Sequence, residues 1–194
     1  ESVHLFWGDE RCVPPDHPES NFRMVQETLL AHVPLPQENI HQIPADQGSP
    51  EAAAAAYERL IKRYFQLEDG ELPEFDLVLL GVGADGHTAS LFPHAAAVHE
   101  RRRLVVATSG GSPNLPRVTL TVPVLNHARR LVWLVTGAQK APIVRKVLKG
   151  PEQLEEIPAQ RVRALQGTSL WLLDHEAAKE VSVDFSGNGD PANA

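Results

Sequence analysis

A single cysteine, Cys12, in 194 residues leaves no internal disulfide framework and none of the paired-cysteine spacings that hold zinc. Basic residues are also scarce: 18 Lys and Arg face 25 Asp and Glu, so the net charge is −7 and no general positive field exists to attract nucleic acid or an anionic membrane. No apolar stretch approaches the roughly 18 residues that a membrane helix requires. The Gly-x-Ser-x-Gly nucleophile elbow and the phosphate-binding P-loop are missing, which argues against serine nucleophilic chemistry and nucleotide hydrolysis. What remains is 42% apolar residues without internal repeats, enough to bury one core. The expectation is a cytoplasmic protein with a single α/β domain over residues 1–181. Residues 182–194, rich in Gly, Asn, Asp and Ala, read as a disordered tail.

Short apolar runs ending in glycine or polar residues alternate with helical patterns. Strands are expected at Val3–Trp7, Asp76–Leu80, Leu104–Thr108, Leu131–Thr136 and Ser169–Leu173, with extended pieces at Ile40–Ala45 and Arg117–Thr121. Helices are expected from Ser20 or Asn21 to about Val33, from Pro50 behind the cap Ser49 to Phe65, from Gln139 to Leu148, and from His175 to Val181 behind Asp174. Pro93 limits any helix beginning near Thr88 to about two turns. Ser109-Gly110-Gly111-Ser112-Pro113 reads as a connection between strands. Strands that are nearly all apolar, alternating with helices, imply a layered α/β fold with a mainly parallel sheet and helices on both faces.

The chain is organised around Phe75 to Pro93. Its strand stops at Gly81, and the next residues pack Gly83, Asp85, Gly86 and His87 into one turn, where open α/β sheets place their ligand sites. Gly81 to Gly86 matches the dinucleotide fingerprint, but Pro93 cuts the helix short and the following strand ends Ala107-Thr108 rather than in an acid, so nicotinamide and flavin are excluded. The segment from His175 lacks the second histidine of a zinc-protease helix, Lys179 standing in its place. Asp9 and Arg11 follow the first strand directly. Lys140 stands in the first turn of a helix, where the dipole disfavours a cation and a ligand phosphate would remove the conflict. Taken as residues, His87 could equally close its turn, Asp85 could form an Asx turn and Asp9 could cap a strand.

Three segments decide among these readings. Trp7-Gly8-Asp9-Glu10-Arg11-Cys12-Val13-Pro14 with Ser20-Asn21-Phe22, then Leu79 to Pro93, then Arg117 to Thr121 together resemble the glucosamine-6-phosphate isomerase/6-phosphogluconolactonase family over roughly Val3 to Val181. The resemblance implies a sugar-isomerase and CoA-transferase-like fold and hydrolysis of 6-phosphoglucono-δ-lactone in the pentose phosphate pathway, with no cofactor and no metal. It implies that His87 activates water, that Asp9 or Asp85 orients the imidazole, and that backbone N–H groups at Gly83 and Gly86 stabilise the oxyanion. Arg117 and Lys140 would take the phosphate, with Arg11 near the sugar. The implied partner is a small sugar-phosphate lactone, without nucleic acid or membrane; oligomeric state stays open, with a monomer favoured. The deaminase branch of the family resembles this chain at Asp-Gly-His but places an acid just before the proline. Here that residue is Phe92, which favours lactone hydrolysis. A deaminase and a non-catalytic sugar-phosphate sensor are the alternatives. Family members also carry a strand, a helix and a Ser-Gly-Gly-type phosphate loop ahead of the Trp-Gly-Asp-Glu-Arg segment, so the strand Val3–Trp7 is expected to have one open side.

Overall fold

The computed structural model describes residues 3–181, and the expected tail at 182–194 lies outside the described residues. Eight strands form three small sheets. β1 (Leu5–Phe6) pairs in parallel with β3 (Ile40–His41). β2 (Asp9–Arg11) and β5 (Val105–Gly110) flank β6 (Leu115–Leu120), all antiparallel. β4 (Val78–Leu80), β7 (Arg130–Val135) and β8 (Thr168–Leu173) form a parallel sheet in that order. The α/β class and the parallel pairing agree with the strand-and-helix alternation of the sequence. The antiparallel ribbon differs from a single parallel sheet for a local reason: β5 and β6 are joined by a tight turn at residues 111–114, and so short a connection reverses the chain.

In the parallel sheet the two-residue period sorts the side chains. Leu80, Leu131, Trp133 and Val135 are buried on one face, and Trp133 stacks on Trp171 with centroids 4.5 Å apart. Leu79, Leu134, Leu170 and Leu172 stay exposed. β1 has β3 on one side; among the described residues no strand pairs with its other side.

α2 (Pro50–Phe65) forms as its start signal dictates: Ser49 accepts a hydrogen bond from the Ala52 N–H at 3.2 Å, and Pro50 occupies the first helical position. Ala53, Ala54, Tyr57 and Ile61 recur on one stripe and are buried in the core. Tyr57 Oη accepts from Trp7 N at 2.9 Å and donates to Trp7 O at 3.1 Å, so the end of β1 is held by a helix side chain. Burial pushes the Tyr57 phenol well above its usual range.

Three helical expectations change. The helix expected to reach Val33 is α-helical only at α1 (Asn21–Val25) and continues as one π-helical turn, Gln26–Leu30. No helix starts at Thr88; the Leu91 N–H returns to Thr88 O at 2.9 Å, and Ala89 has φ +47°, which breaks helical continuity. Residues 175–180 form successive turns rather than a helix, although Asp174 accepts from the Ala177 N–H at 2.7 Å as a cap would. The other carboxylate contacts, from Gly137 N at 2.9 and 3.1 Å, tie that segment back to the end of β7. The remaining helices are α3 (Val122–Asn126) and α4 (Ala141–Lys149), the latter entered through a 3₁₀ turn, Ala138–Lys140.

Candidate active site

The turn after β4 closes on itself. Gly83 N–H donates to His87 O at 2.8 Å and Gly86 N–H donates to Gly83 O at 2.9 Å. Both amides are therefore engaged within the turn, which satisfies its own backbone first. The glycines are required for space. A Cβ on Gly83 would overlap the His87 ring and Asp85 Oδ1, and Gly86 has φ +88° with Ile157 packed behind it. The result is one rigid pairing: His87 Nδ1 lies 2.5 Å from Asp85 Oδ1, and the same oxygen accepts from His87 N–H at 3.2 Å. Partial burial acts to raise the Asp85 carboxyl, but the His87 hydrogen bonds outweigh it and hold the group below its ordinary value. Thr88 Oγ1 donates to Gly81 O at 2.9 Å, fixing the far end of the turn to the strand.

The antiparallel ribbon supplies the opposing charges. Asp9 and Arg11 stand two residues apart on β2 and lie opposite Thr119 and Arg117 on β6, so strand alternation directs all four to one face. Glu10, between them, points the other way. It accepts from Asn21 N at 2.8 Å, Phe22 N at 2.7 Å and Ser20 Oγ at 3.1 Å, anchoring the start of α1. Asn21 in turn accepts from Arg11 Nη1 at 3.0 Å and donates to Asp9 O at 3.0 Å. Asp9 Oδ2 accepts from Ser90 Oγ at 2.5 Å, and Ser90 N–H donates to Thr119 Oγ1 at 3.3 Å. Burial raises the Asp9 carboxyl above its usual range, opposed by the Ser90 hydrogen bond and by the charges of Arg117, Arg11 and His87. Asp85, not Asp9, is thus the acid against the imidazole.

Arg117 is 6% exposed. Its Nε donates to Gly110 O at 3.1 Å, and its guanidinium carbon lies 5.3 Å from the Phe92 ring centroid. Phe92 also packs on His87, ring centroids 4.7 Å apart, so one aromatic ring bridges the imidazole and the guanidinium. Burial, followed by the neighbouring Arg11, lowers the Arg117 pKa. Arg11 Nε is buried and has no hydrogen-bond partner among the described residues. Lys140 is placed differently: its Nζ donates to Val82 O at 2.7 Å, at the entry of the glycine turn. A cavity of about 990 Å³ opens beside these groups, with Asp85, Phe92, His94, Gly110 and Gly111 in its wall. Among the described residues no three His, Cys, Asp or Glu side chains gather as a metal site requires.

The structure brings together Asp9, Arg11, Arg117, Asp85 and His87, with Gly83 and Gly86 shaping the turn and Lys140 at its entry. Sequence reasoning missed Ser90 and Thr119, which hold Asp9. Their signal was a place inside the segments Leu79 to Pro93 and Arg117 to Thr121 that carry the family resemblance. The expected connection at Ser109–Pro113 forms the end of β5 and the following turn, and through Gly110 and Gly111 it also packs against Arg117.

Residues 1–171 match the family described as glucosamine-6-phosphate isomerases/6-phosphogluconolactonase. A 6-phosphogluconolactonase of Synechocystis is 43% identical over 181 residues, covering 93% of this chain and 74% of that protein. A 6-phosphogluconolactonase of Rattus norvegicus is 42% identical over 184 residues, covering 93% of this chain and 69% of that one. The solved structure of a 6-phosphogluconolactonase from Trypanosoma cruzi superposes with a TM-score of 0.82 at 32% identity, covering 93% of this chain and 73% of that chain. A monomeric glucosamine-6-phosphate deaminase shares the fold alone, with a TM-score of 0.73 at 22% identity over 92% of this chain and 76% of that one. The chain belongs to the glucosamine-6-phosphate isomerase/6-phosphogluconolactonase family.

Proposed function

We propose that the chain hydrolyses 6-phosphoglucono-δ-lactone to 6-phosphogluconate, with His87 as the general base. The reading rests on one observation above all: an imidazole held at Nδ1 by Asp85 at 2.5 Å and packed on Phe92, whose ring also lies against Arg117, with Asp85 and Phe92 in the wall of an open cavity. With Nδ1 engaged, Nε2 is the nitrogen left for chemistry. It takes a proton from water as the water oxygen bonds to the lactone carbonyl carbon. As the tetrahedral intermediate collapses, the bond from that carbon to the ring oxygen breaks, and the imidazolium returns the proton to the departing oxygen. A δ-lactone is reactive enough that a positioned base and a positive site suffice.

In this reading Arg117 and Lys140 approach the substrate phosphate and Arg11 the sugar, its unpartnered Nε favouring an oxygen ligand. Asp9 keeps the two arginines charged and aligned. Phe92 carries the choice between the family's activities. An aromatic ring packed between His87 and Arg117 offers no carboxylate for the ring opening and amine chemistry of a deaminase. The proposed setting is cytoplasmic; among the described residues no helix is long and apolar enough to cross a membrane.

The test is a coupled assay of lactone hydrolysis, corrected for spontaneous opening, run beside ammonia release from glucosamine 6-phosphate. Hydrolysis above background without ammonia is the expected result. Ammonia release would transfer the reading to the deaminase, and binding without either turnover would make the chain a sensor.

A further inference from the structure

A second cavity, of about 420 Å³, lies away from His87 between α3, the approach to β5 and the segment leading to β8. Its floor is apolar, from Val122, Pro123 and Leu154, and its rim carries Arg101, Arg161 and Arg163 against one acid, Glu152. In a chain of net charge −7, this is a local reversal of sign. The rim is also built rather than loose. Asn126, 8% exposed, donates to Arg161 O at 3.0 Å and accepts from Arg163 N at 2.9 Å, clamping that segment to α3. Arg161 is held by Leu154 O at 2.8 Å from Nε and by an ion pair to Glu155. Arg101 commits Nη1 to Val98 O at 2.9 Å and Glu100 O at 2.8 Å, leaving its other donors without partners among the described residues. The Arg163 side chain makes no hydrogen bond or ion pair among them.

The segment 154–161, which lends Leu154, Gln160 and Arg161 to this cavity, also supports the candidate active site. Ala159 N–H donates to Gly86 O at 2.9 Å, His94 N–H donates to Glu155 O at 3.2 Å, and Ile157 fills the space behind Gly86. The same short segment therefore carries Leu154 and Arg161 into the cavity and supports the turn that holds His87.

We propose that the cavity rimmed by Arg101, Arg161 and Arg163 binds a small organic phosphate with a flat apolar body, of nucleoside monophosphate size, and that its occupancy alters turnover through the Gly86 contact. Guanidinium forks match phosphate oxygens, the apolar floor suits a ring, and the volume falls within the range of small-ligand pockets. The binding half stands apart from the hydrolytic reading; the turnover half rests on it.

Calorimetry with AMP, performed with 6-phosphogluconate saturating the catalytic site, separates the two sites. The expected result is a single saturable AMP site whose Kd rises about tenfold in Arg101→Ala and in Arg163→Ala, as loss of one charge-assisted hydrogen bond predicts, with thermal midpoints unchanged. Inorganic phosphate should bind more weakly than AMP. In the lactonase assay AMP should change kcat in the wild type, and the AMP concentration for half the effect should be about tenfold higher in Arg163→Ala. No saturable heat, binding displaced by 6-phosphogluconate, or equal Kd values in all three proteins would overturn the site. Phosphate binding as tightly as AMP would overturn the flat-bodied ligand, and AMP binding with unchanged kcat would overturn the coupling.

Discussion

The turn after β4 and the β2–β6 ribbon reach the same site by opposite means. In the turn, the functional pair is two residues apart, Asp85 and His87, and its geometry is set by local backbone closure. On the ribbon, Asp9, Arg11 and Arg117 meet only because antiparallel register places them on one face, and Asp9 is held by Ser90 from 81 positions away. The acid in the turn is pushed down by its hydrogen bonds to His87, and the acid on the ribbon is pushed up by burial. In the proposed reading the two carboxylates have separate duties: Asp85 stays ionised and grips the ring, and Asp9 is raised by burial against the opposing charges of Arg117 and Arg11.

The largest effect should come from the turn. His87→Ala is expected to lower lactone hydrolysis by about 10²–10⁴-fold, the usual cost of losing a general base, with an unchanged circular dichroism spectrum. Turnover near the wild-type value in a folded variant would remove His87 from the mechanism. Gly83→Ala sharpens the same point without touching a reactive group. Its Cβ must displace the imidazole or the Asp85 carboxylate, so a loss of about 10²-fold is expected from misplacement alone. Full activity would mean that the ring position is not critical.

The ribbon should respond in binding. Arg117→Ala is expected to weaken 6-phosphogluconate by roughly 1.5–3 kcal/mol while leaving gluconate little changed, as calorimetry with both ligands would show. Equal losses would place the phosphate elsewhere.

The smallest effect concerns stability. Asp9 has a raised pKa in the folded state, so the native protein holds this proton more tightly than the unfolded chain. Its contribution is favourable below the unfolded value near 3.8 and declines as pH rises through the raised folded value. At neutral pH the buried charge is a cost, and Asp9→Asn should raise the thermal midpoint by about 2–4 °C, what ~1 kcal/mol does in a chain of this size, even as activity falls. The gain should vanish below pH 3.8, where both forms are neutral. A lower midpoint at pH 7 would show that the Arg11 and Arg117 charges outweigh burial. Asp85 has the opposite sign: its contribution is present above 3.8 and lost only as pH falls through its lowered folded value.

The two regions also differ in how far they could be read from residues alone. The strand, its stop at Gly81 and the density of Gly83, Asp85, Gly86 and His87 are local, and they marked the site before any fold was known. Whether Asp9 or Asp85 grips the imidazole was open, because it depends on a contact between β2 and Ser90 that no periodicity encodes. Lys140 was marked by its place in the first turn of a helix, and Arg117 entered through family resemblance. Gly83 and Gly86 were legible as the frame of the turn, but the engagement of both their amides in closing it was not. The cap at Asp174 was legible, but the sharing of its carboxylate with Gly137, which ties residues 175–180 as turns to the end of β7, was not.

The division of duties is tested most directly by measuring kcat and KM for Asp85→Asn beside Arg117→Ala, with the spontaneous reaction subtracted. If the turn performs the proton transfer and the ribbon binds the anion, Asp85→Asn lowers kcat with KM within about twofold of wild type, and Arg117→Ala raises KM with the smaller change in kcat. The reverse pattern, or equal changes in both constants for both variants, would contradict the account.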